Sequence, residues 1–367
     1  MKLHLIGLPH TMTTKDASVC AFTQKIVKFG KMMTDRGWDV ILYSGEENTT
    51  QCTEHVPLFT KTEQVEWYGD FDANTLPSIA TWNAEDDQWI TMNARANEEI
   101  SKRIEEKDLI LLTAGRAQRG ISDTFRSNIS CEWAAGYEGI FLPYVCFESY
   151  AWMHHLYGKI GKSDGRWFDA VIPNFFDLDE WPDWKSCHEG DYLLYCGRLI
   201  ERKGVMVAAE IAKATKKKLI VAGSGAKEWD ETRILCEDGS VIEGDVEYVG
   251  TVGGETRNKL MTDAFALLAP TTYIEPFGAV AVEAQLCGTP VITTDWGAFP
   301  ETVLNGETGF RFRTLSEGVE AVERCHDLDP YLIAMHARST YSLETIAPKY
   351  ENWFNRLGKL WDGGWYD

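Results

Sequence analysis

Between Ala264 and Thr294 the chain passes from an apolar stretch of strand length into a loop broken by proline and glycine. An apolar stretch of helix length and a second apolar strand follow. Strands joined through a helix lie parallel, and the loop leaving the first strand then falls at the carboxyl edge of the sheet, where open α/β sheets bind ligands. Ala264 to Ala269 is the first strand, bounded by Pro270 and Thr271. Pro276 cannot donate a backbone hydrogen bond, and Gly278 tolerates left-handed backbone angles. Ala279 to Leu286 reads as helix, ended by Gly288 and Pro290, and Val291 to Thr294 as the next buried strand. The helix start offers unpaired N–H groups and a positive dipole end, which suit a phosphate. Glu275 stands just before this helix and Glu283 within it. Helical steps would part their backbones by about 12 Å along the axis. Retaining glycosidases hold their two carboxyls only about 5–5.5 Å apart, so the spacing suits two ends of one extended ligand.

Alternation of strand and helix continues along the chain. Leu3 to Leu8, Trp38 to Tyr43, Asp108 to Thr113, Ile140 to Cys146 and Ala170 to Asn174 read as strands of an N-terminal half, with a helix over Cys20 to Met33. Pro143 weighs against Ile140–Cys146 as a central strand. Residues 45–93 are polar and irregular. Tyr192 to Cys196, Leu219 to Gly223 and Val246 to Gly250 restart the pattern after a polar segment from Asp177 to Gly190, read as a hinge. Such alternation predicts parallel sheets covered by helices. Expected are an N-terminal domain over 1–184, a C-terminal domain over 185–341, and an amphipathic helix over 342–367.

The Glu275-to-Glu283 segment, with Cys287-Gly-Thr-Pro behind it, resembles the E-x7-E signature of retaining GT4 glycosyltransferases (glycosyl transferases group 1). Most of the C-terminal half shares the resemblance. Val171 to Asp177 is similar to the family's I-P-N-G-V-D segment, with Phe175 in place of the glycine. The resemblance implies a GT-B architecture: two Rossmann-like domains whose parallel sheets face an interdomain cleft, with the helix over 342–367 crossing back to the first domain. It implies transfer of a sugar from a nucleotide diphosphate sugar, UDP or GDP sugar foremost, to an acceptor hydroxyl, with retention and with neither a metal nor another cofactor. Arg198 and Lys203, in Gly197 to Gly204, match the family's diphosphate ligands. An arginine fork and a compact ammonium are chemically suited to a departing diphosphate. The family's roles carried over are the donor sugar for Glu275, with Pro276, Phe277 and Gly278 beside it, and the ribose for Glu283. Gly197 and Val252 complete the donor set, Val252 lying in the Tyr248–Gly254 segment expected at the base. Arg202 has no assigned role. The Gly-rich turn Val221 to Gly225 is a weak phosphate signal alone.

On the acceptor side, Phe147 to Gly158 is dense in aromatic and polar groups and resembles a compact branch of GT4-like proteins, several viral or from phage. Glu148 and His154 are candidates for the group near the reacting sugar. The competing reading is a helix that packs Tyr150, Trp152 and Leu156 into the core. His10 and Glu132 are further acceptor-side candidates. The acceptor class is a glycan, a lipid-linked molecule or a small molecule.

Composition excludes other classes. Formal net charge is −20 over 367 residues, which disfavours a nucleic-acid partner, since phosphate backbones call for clustered cations. Lys25, Lys28 and Lys31 recur at helical spacing and could contact an anionic membrane, but a solvated face is the favoured reading. The 9 cysteines form no C-x-x-C pairs. With an N-terminal apolar run too short for a signal peptide, this predicts reduced thiols and a cytoplasmic location. D-x-D strings at Asp70–Asp72 and Asp177–Asp179 are short enough to arise by chance, and neither is expected to hold a metal. Two alternatives stay open: a nucleotide-sugar hydrolase or epimerase on the same fold, and a non-catalytic sugar-nucleotide-binding module.

Overall fold

The computed structural model describes residues 1–17, 20–71, 83–184 and 190–362. Asp72 and residues 185–189 of the expected hinge lie outside the described residues. The chain divides into two compact units. The first holds Met1–Glu148, Leu156–Phe176 and Leu343–Asp367; the second holds Ser149–His155 and Asp177–Ser342.

In the first unit β1 (Lys2–Ile6), β2 (Asp39–Gly45), β3 (Glu54–Phe59), β4 (Leu109–Leu112), β5 (Ile129–Ala135), β6 (Val145–Phe147) and β7 (Ala170–Val171) form one sheet. Its order is β3-β2-β1-β4-β5-β6-β7, and every pair is parallel. β1, β2 and β4 are almost continuously buried, and β4 is wholly apolar, as suits strands covered on both faces. The helix Ala21–Asp35 ends at Gly37, whose φ of 82° stops it. Its Phe29 packs on Trp133 at a centroid distance of 4.4 Å and meets Phe175, Tyr350 and Phe354 edge-on or tilted. Burying such a side chain contributes about 1.5–3 kcal/mol. The amphipathic stretch near the C-terminus forms the helix Leu343–Gly358, whose Tyr350, Trp353, Phe354 and Leu357 are buried in this unit. Glu351 clamps Arg36 through two bonds of 2.7 and 3.0 Å.

Some expectations failed for local reasons. Residues 45–93 contain β3, the helix Lys61–Tyr68 and the start of the helix Asp87–Ser101. A capping box between Thr60 and Glu63 starts the first of these helices, and only its Gln64 is buried, so it carries little amphipathic signal. The strand expected over Ile140–Cys146 shrinks to β6, because the segment through Pro143 is a loop. β5, adjacent to it, was not anticipated. Phe175, standing where the family has glycine, needs no left-handed backbone: among the described non-glycine residues only Ala134 and Lys216 have positive φ. Its ring is buried instead.

The second unit contains β8 (Tyr192–Cys196), β9 (Lys218–Ala222), β10 (Ala226–Trp229), β11 (Arg233–Cys236), β12 (Val241–Glu243), β13 (Val246–Tyr248), β14 (Ala266–Ala269), β15 (Val291–Thr294) and β16 (Gly309–Phe312). Its main sheet runs β13-β9-β8-β14-β15-β16, all parallel. The crossover from β9 to β13 carries no helix. An antiparallel sheet of β10, β11 and β12 takes its place. Among the described residues no helix is long and apolar enough to cross a membrane.

Candidate functional site

Strand order fixes the site in the second unit. The chain enters the sheet at its centre with β8, builds outward through β9 and β13, then returns to β14 on the other side. The carboxyl ends of β8 and β14 therefore flank the point where the winding reverses, the usual ligand crevice of such a sheet. Gly197 follows β8; Pro270 to Gly278 follow β14.

The two loops are laced together. After the short turn Glu201–Lys203, Gly204 caps the helix Val205–Thr215 at φ 77°. A side chain at Gly204 would collide with the carbonyl of Pro270. Thr272 N donates to the carbonyl of Arg202 at 2.9 Å. This sets Lys203 Nζ 2.9 Å from Glu275 Oε2 and 2.8 Å from the Tyr273 hydroxyl. Arg202 and Lys203 each lie 5.0 Å from the Tyr273 ring centre. Burial, reinforced by the Glu275 carboxylate, pushes the Tyr273 phenol well above its ordinary range. Tyr273 thus stays a neutral spacer between the two loops. Arg198 is exposed at the rim of the loop after β8, and its carbonyl accepts the Tyr195 hydroxyl at 2.8 Å.

The loop bearing Glu275 is gripped from three sides. Ala298 N donates to the Glu275 carbonyl at 3.0 Å. Gly297, at φ 62°, lies so close that an added Cβ would sit 2.6 Å from Glu275 N. Ser149 Oγ donates to the Pro276 carbonyl at 2.7 Å. Glu301 in turn accepts from Tyr150 N and Ala151 N at 2.9 and 2.8 Å, which holds Ser149 in place. Phe277 is buried against Tyr341. Gly278, at φ 76°, opens the helix Ala279–Leu286 without a side-chain cap, and the first N–H groups of a helix have no intrahelical partner. Glu283 lies in this helix with its side chain 16% exposed and paired with Arg257. Val252 is half-buried between β13 and the helix Gly254–Asp263. Gly223 N donates to Gly250 O and the Tyr248 hydroxyl to Gly223 O, so the Gly-rich turn is stitched to the neighbouring strand end.

Gly278→Ala tests how far the loop depends on that left-handed residue. The new Cβ would meet the Phe299 ring at 2.6 Å. Gly306 has a comparable φ of 84° with open space around it. Gly306→Ala is expected to cost about 1–2 kcal/mol, and Gly278→Ala about 1–3 kcal/mol more from the clash, read from urea unfolding midpoints.

The N-terminal candidates differ in burial and in partners. Glu132 is fully buried, and its oxygens are taken by the Tyr137 hydroxyl and by Phe141 N and Leu142 N. That carboxylate holds the loop after β5, with three of its acceptor positions occupied. His10 is 3% exposed, and burial lowers its pKa to about 4, so it is neutral at physiological pH. His154 is exposed, with Tyr150 tilted over it at 6.3 Å. On the same helix Trp152 and Leu156 are buried while Tyr150 is exposed, so two of the three side chains expected in the core are there. Glu148 is buried and lies 2.6 Å from Lys25 Nζ. Lys25 and Lys28 are only 5% and 9% exposed. The solvated basic face is therefore overturned: Lys25 lies over Phe22 and Lys28 over Phe176. Asp177 is the cap of the short turn Leu178–Glu180. Among the described residues no three His, Cys, Asp or Glu side chains converge as metal ligands, and the eight described cysteines are unpaired thiols.

Sequence reasoning missed Tyr273, Ser149, Glu301, Arg257 and Lys25. A tyrosine two places before Glu275 and a serine at the start of a helix carry no distinctive pattern. Lys25, on an otherwise apolar helical stripe, was visible but read as solvated.

Residues 190–327 match the family described as Glycosyl transferases group 1. A phosphatidyl-myo-inositol mannosyltransferase of Mycolicibacterium smegmatis is 26% identical over 309 residues, 77% of this chain and 75% of that protein. An uncharacterized glycosyltransferase of Methanocaldococcus jannaschii is 36% identical over 121 residues, 32% of this chain and 30% of that protein. The match thus spans under a third of that relative's length. Among solved structures, a glycosyltransferase involved in avilamycin A biosynthesis superposes with a TM-score of 0.65 at 19% identity, covering 98% of both chains. Anabaena HepE in complex with UDP and glucose gives 0.61 at 14% identity, covering 96% of this chain and 98% of that one. The fold is the two-domain GT-B fold of glycosyltransferases.

Proposed function

We propose, from the group 1 glycosyl transferase domain that residues 190–327 make up, that the protein is a glycosyltransferase that moves a sugar from a nucleotide diphosphate sugar to an acceptor hydroxyl with retention. The observation that carries this reading is the Lys203–Glu275 pair, 2.9 Å apart at the switch point of the second sheet and beside the uncapped helix start at Gly278. Cation, carboxylate and free N–H groups suit a ligand that is anionic at one end and rich in hydroxyls at the other. Arg198 and Lys203 stabilise the charge that builds on the departing diphosphate, so the reading needs no metal. Glu275 orients the sugar, Glu283 takes the ribose, and attack on the departing face needs no protein nucleophile. UDP and GDP sugars are the first donors to try, since HepE was solved with UDP.

Thermal unfolding with UDP, GDP, ADP and their sugar conjugates, with and without a magnesium chelator, tests it. A ligand at 100 times its Kd adds about 2.7 kcal/mol to native stability. One nucleotide series is expected to stabilise the protein equally with and without chelator. A shift that vanishes on chelation would refute the metal-free reading; no shift with any of them would refute the donor site.

A further inference from the structure

Beside Glu283 the second unit places a cation that the reading above does not use. Arg257 lies in the first turn of the helix Gly254–Asp263. One of its terminal nitrogens is 3.2 Å from Glu283 Oε1, and the two side chains are 17% and 16% exposed. The guanidinium carbon lies 4.8 Å from the centre of the Trp181 ring, so the group is held between a carboxylate and an aromatic face. The next residue, Asn258, is buried and donates to the Glu180 carbonyl at 2.7 Å, tying the helix to the segment that carries Trp181. Both charges lie close enough to act on the Cys196 thiol at the carboxyl end of β8: burial raises it first, Glu283 raises it further and Arg257 opposes them. The pair therefore stands at the switch point, on the side of the helix Ala279–Leu286 where Glu283 projects.

The contact engages one carboxylate oxygen. A carboxylate has about four acceptor positions, so Glu283 can accept two further hydroxyls while Arg257 holds it. Without the guanidinium, the partly buried carboxylate loses the contact that fixes its rotamer and is free to rotate away.

We propose that Arg257 is a positioning residue: braced on Trp181, it holds the Glu283 carboxylate where it accepts both hydroxyls of a ribose, and so makes the site selective for ribonucleotides over 2′-deoxyribonucleotides. This rests on the donor reading above. The arrangement separates two jobs, since Lys203 and Glu275 serve the diphosphate and sugar while Arg257 and Glu283 serve the nucleoside.

Calorimetric titration with UDP, 2′-deoxy-UDP, GDP and 2′-deoxy-GDP tests it. Wild type is expected to prefer one ribonucleotide to its deoxy analogue by about tenfold or more, the worth of a charge-assisted hydrogen bond. Arg257→Met weakens that ribonucleotide about tenfold, leaves the deoxy analogue unchanged and collapses the preference. Glu283→Gln does the same, and the double variant loses no more than either single one, as expected for residues acting as one unit. Trp181→Leu, which loosens the guanidinium without altering Glu283, gives a weaker form of the same pattern. Equal weakening of both analogues by Arg257→Met would overturn the proposal in favour of a merely structural arginine. Tighter ribonucleotide binding would overturn it in favour of a residue that blocks Glu283. Wild type that binds none of the four, nor ADP, would remove the donor reading, and this inference with it.

Discussion

Exchange of Glu275 for glutamine is expected to lower sugar transfer about 100- to 1000-fold, the usual loss when one preorganised electrostatic contact to a transition state is removed. Glutamine keeps the shape and one oxygen for Lys203, so the loop gripped by Gly297, Ala298 and Ser149 has no reason to move. What disappears is the negative charge beside the reacting sugar. Nucleotide diphosphate binding should change less than about tenfold, because uniform binding and transition-state binding are separable. Arg198→Ala provides the contrast: it removes a cation from the diphosphate and should weaken nucleotide binding as well as transfer. Steady-state kinetics of both variants, paired with titration of the bare nucleoside diphosphate, checks the split. Transfer by Glu275→Gln at the wild-type rate would withdraw the role assigned to this carboxylate.

Lys25→Met is expected to destabilise the first unit by about 3–5 kcal/mol, the cost of leaving a buried charge uncompensated. Lys25 and Glu148 are 2.6 Å apart with side chains 5% and 4% exposed. The carboxylate is tightly enclosed. Its second oxygen presses against Gly136 so closely that no Cβ would fit there. Lys25 also reaches the carbonyl of Ala134 at 3.4 Å. Ala134 has a φ of 48° at the point where the pairing of β5 with β6 slips register. A non-glycine residue held left-handed costs about 1–3 kcal/mol and persists only where its surroundings demand it. The double variant Lys25→Met, Glu148→Leu replaces both charges by apolar groups of similar volume and should recover most of the loss. Urea unfolding of wild type, both single variants and the double variant gives the coupling energy. Single variants at the wild-type midpoint would show that the pair is solvated. A stable double variant without transfer activity would assign the pair to function as well as to folding.

Much of the second unit was legible before any coordinates. Tyr192–Cys196, Ala279–Leu286 and Val291–Thr294 coincide with observed elements, because runs of apolar residues closed by glycine or proline leave the backbone few options. Glu275, Glu283, Arg198 and Lys203 were named through the resemblance to group 1 glycosyltransferases, which placed them in the loops and the helix that follow these strands. Less could be read where local pattern and tertiary environment disagree. The sheet of β10, β11 and β12 stands where alternation called for a helix. Its strands are 4, 4 and 3 residues long, with one buried face at most, too short for a clear period of two.

Sequence alone determined that this chain folds into parallel α/β sheets, and which loop of the second sheet bears the carboxylates and cations, because hydrophobic period and chain breaks are local properties of the backbone. Only the tertiary structure decided which charges meet. It turned Lys25 from a solvated stripe into a buried partner for Glu148, spent Glu132 on a loop and set Arg257 on Glu283. Those pairings join residues 123, 9, 10 and 26 positions apart. The cost of burying a charge is settled by whichever group the fold brings within about 4 Å, and no window of sequence contains that distance.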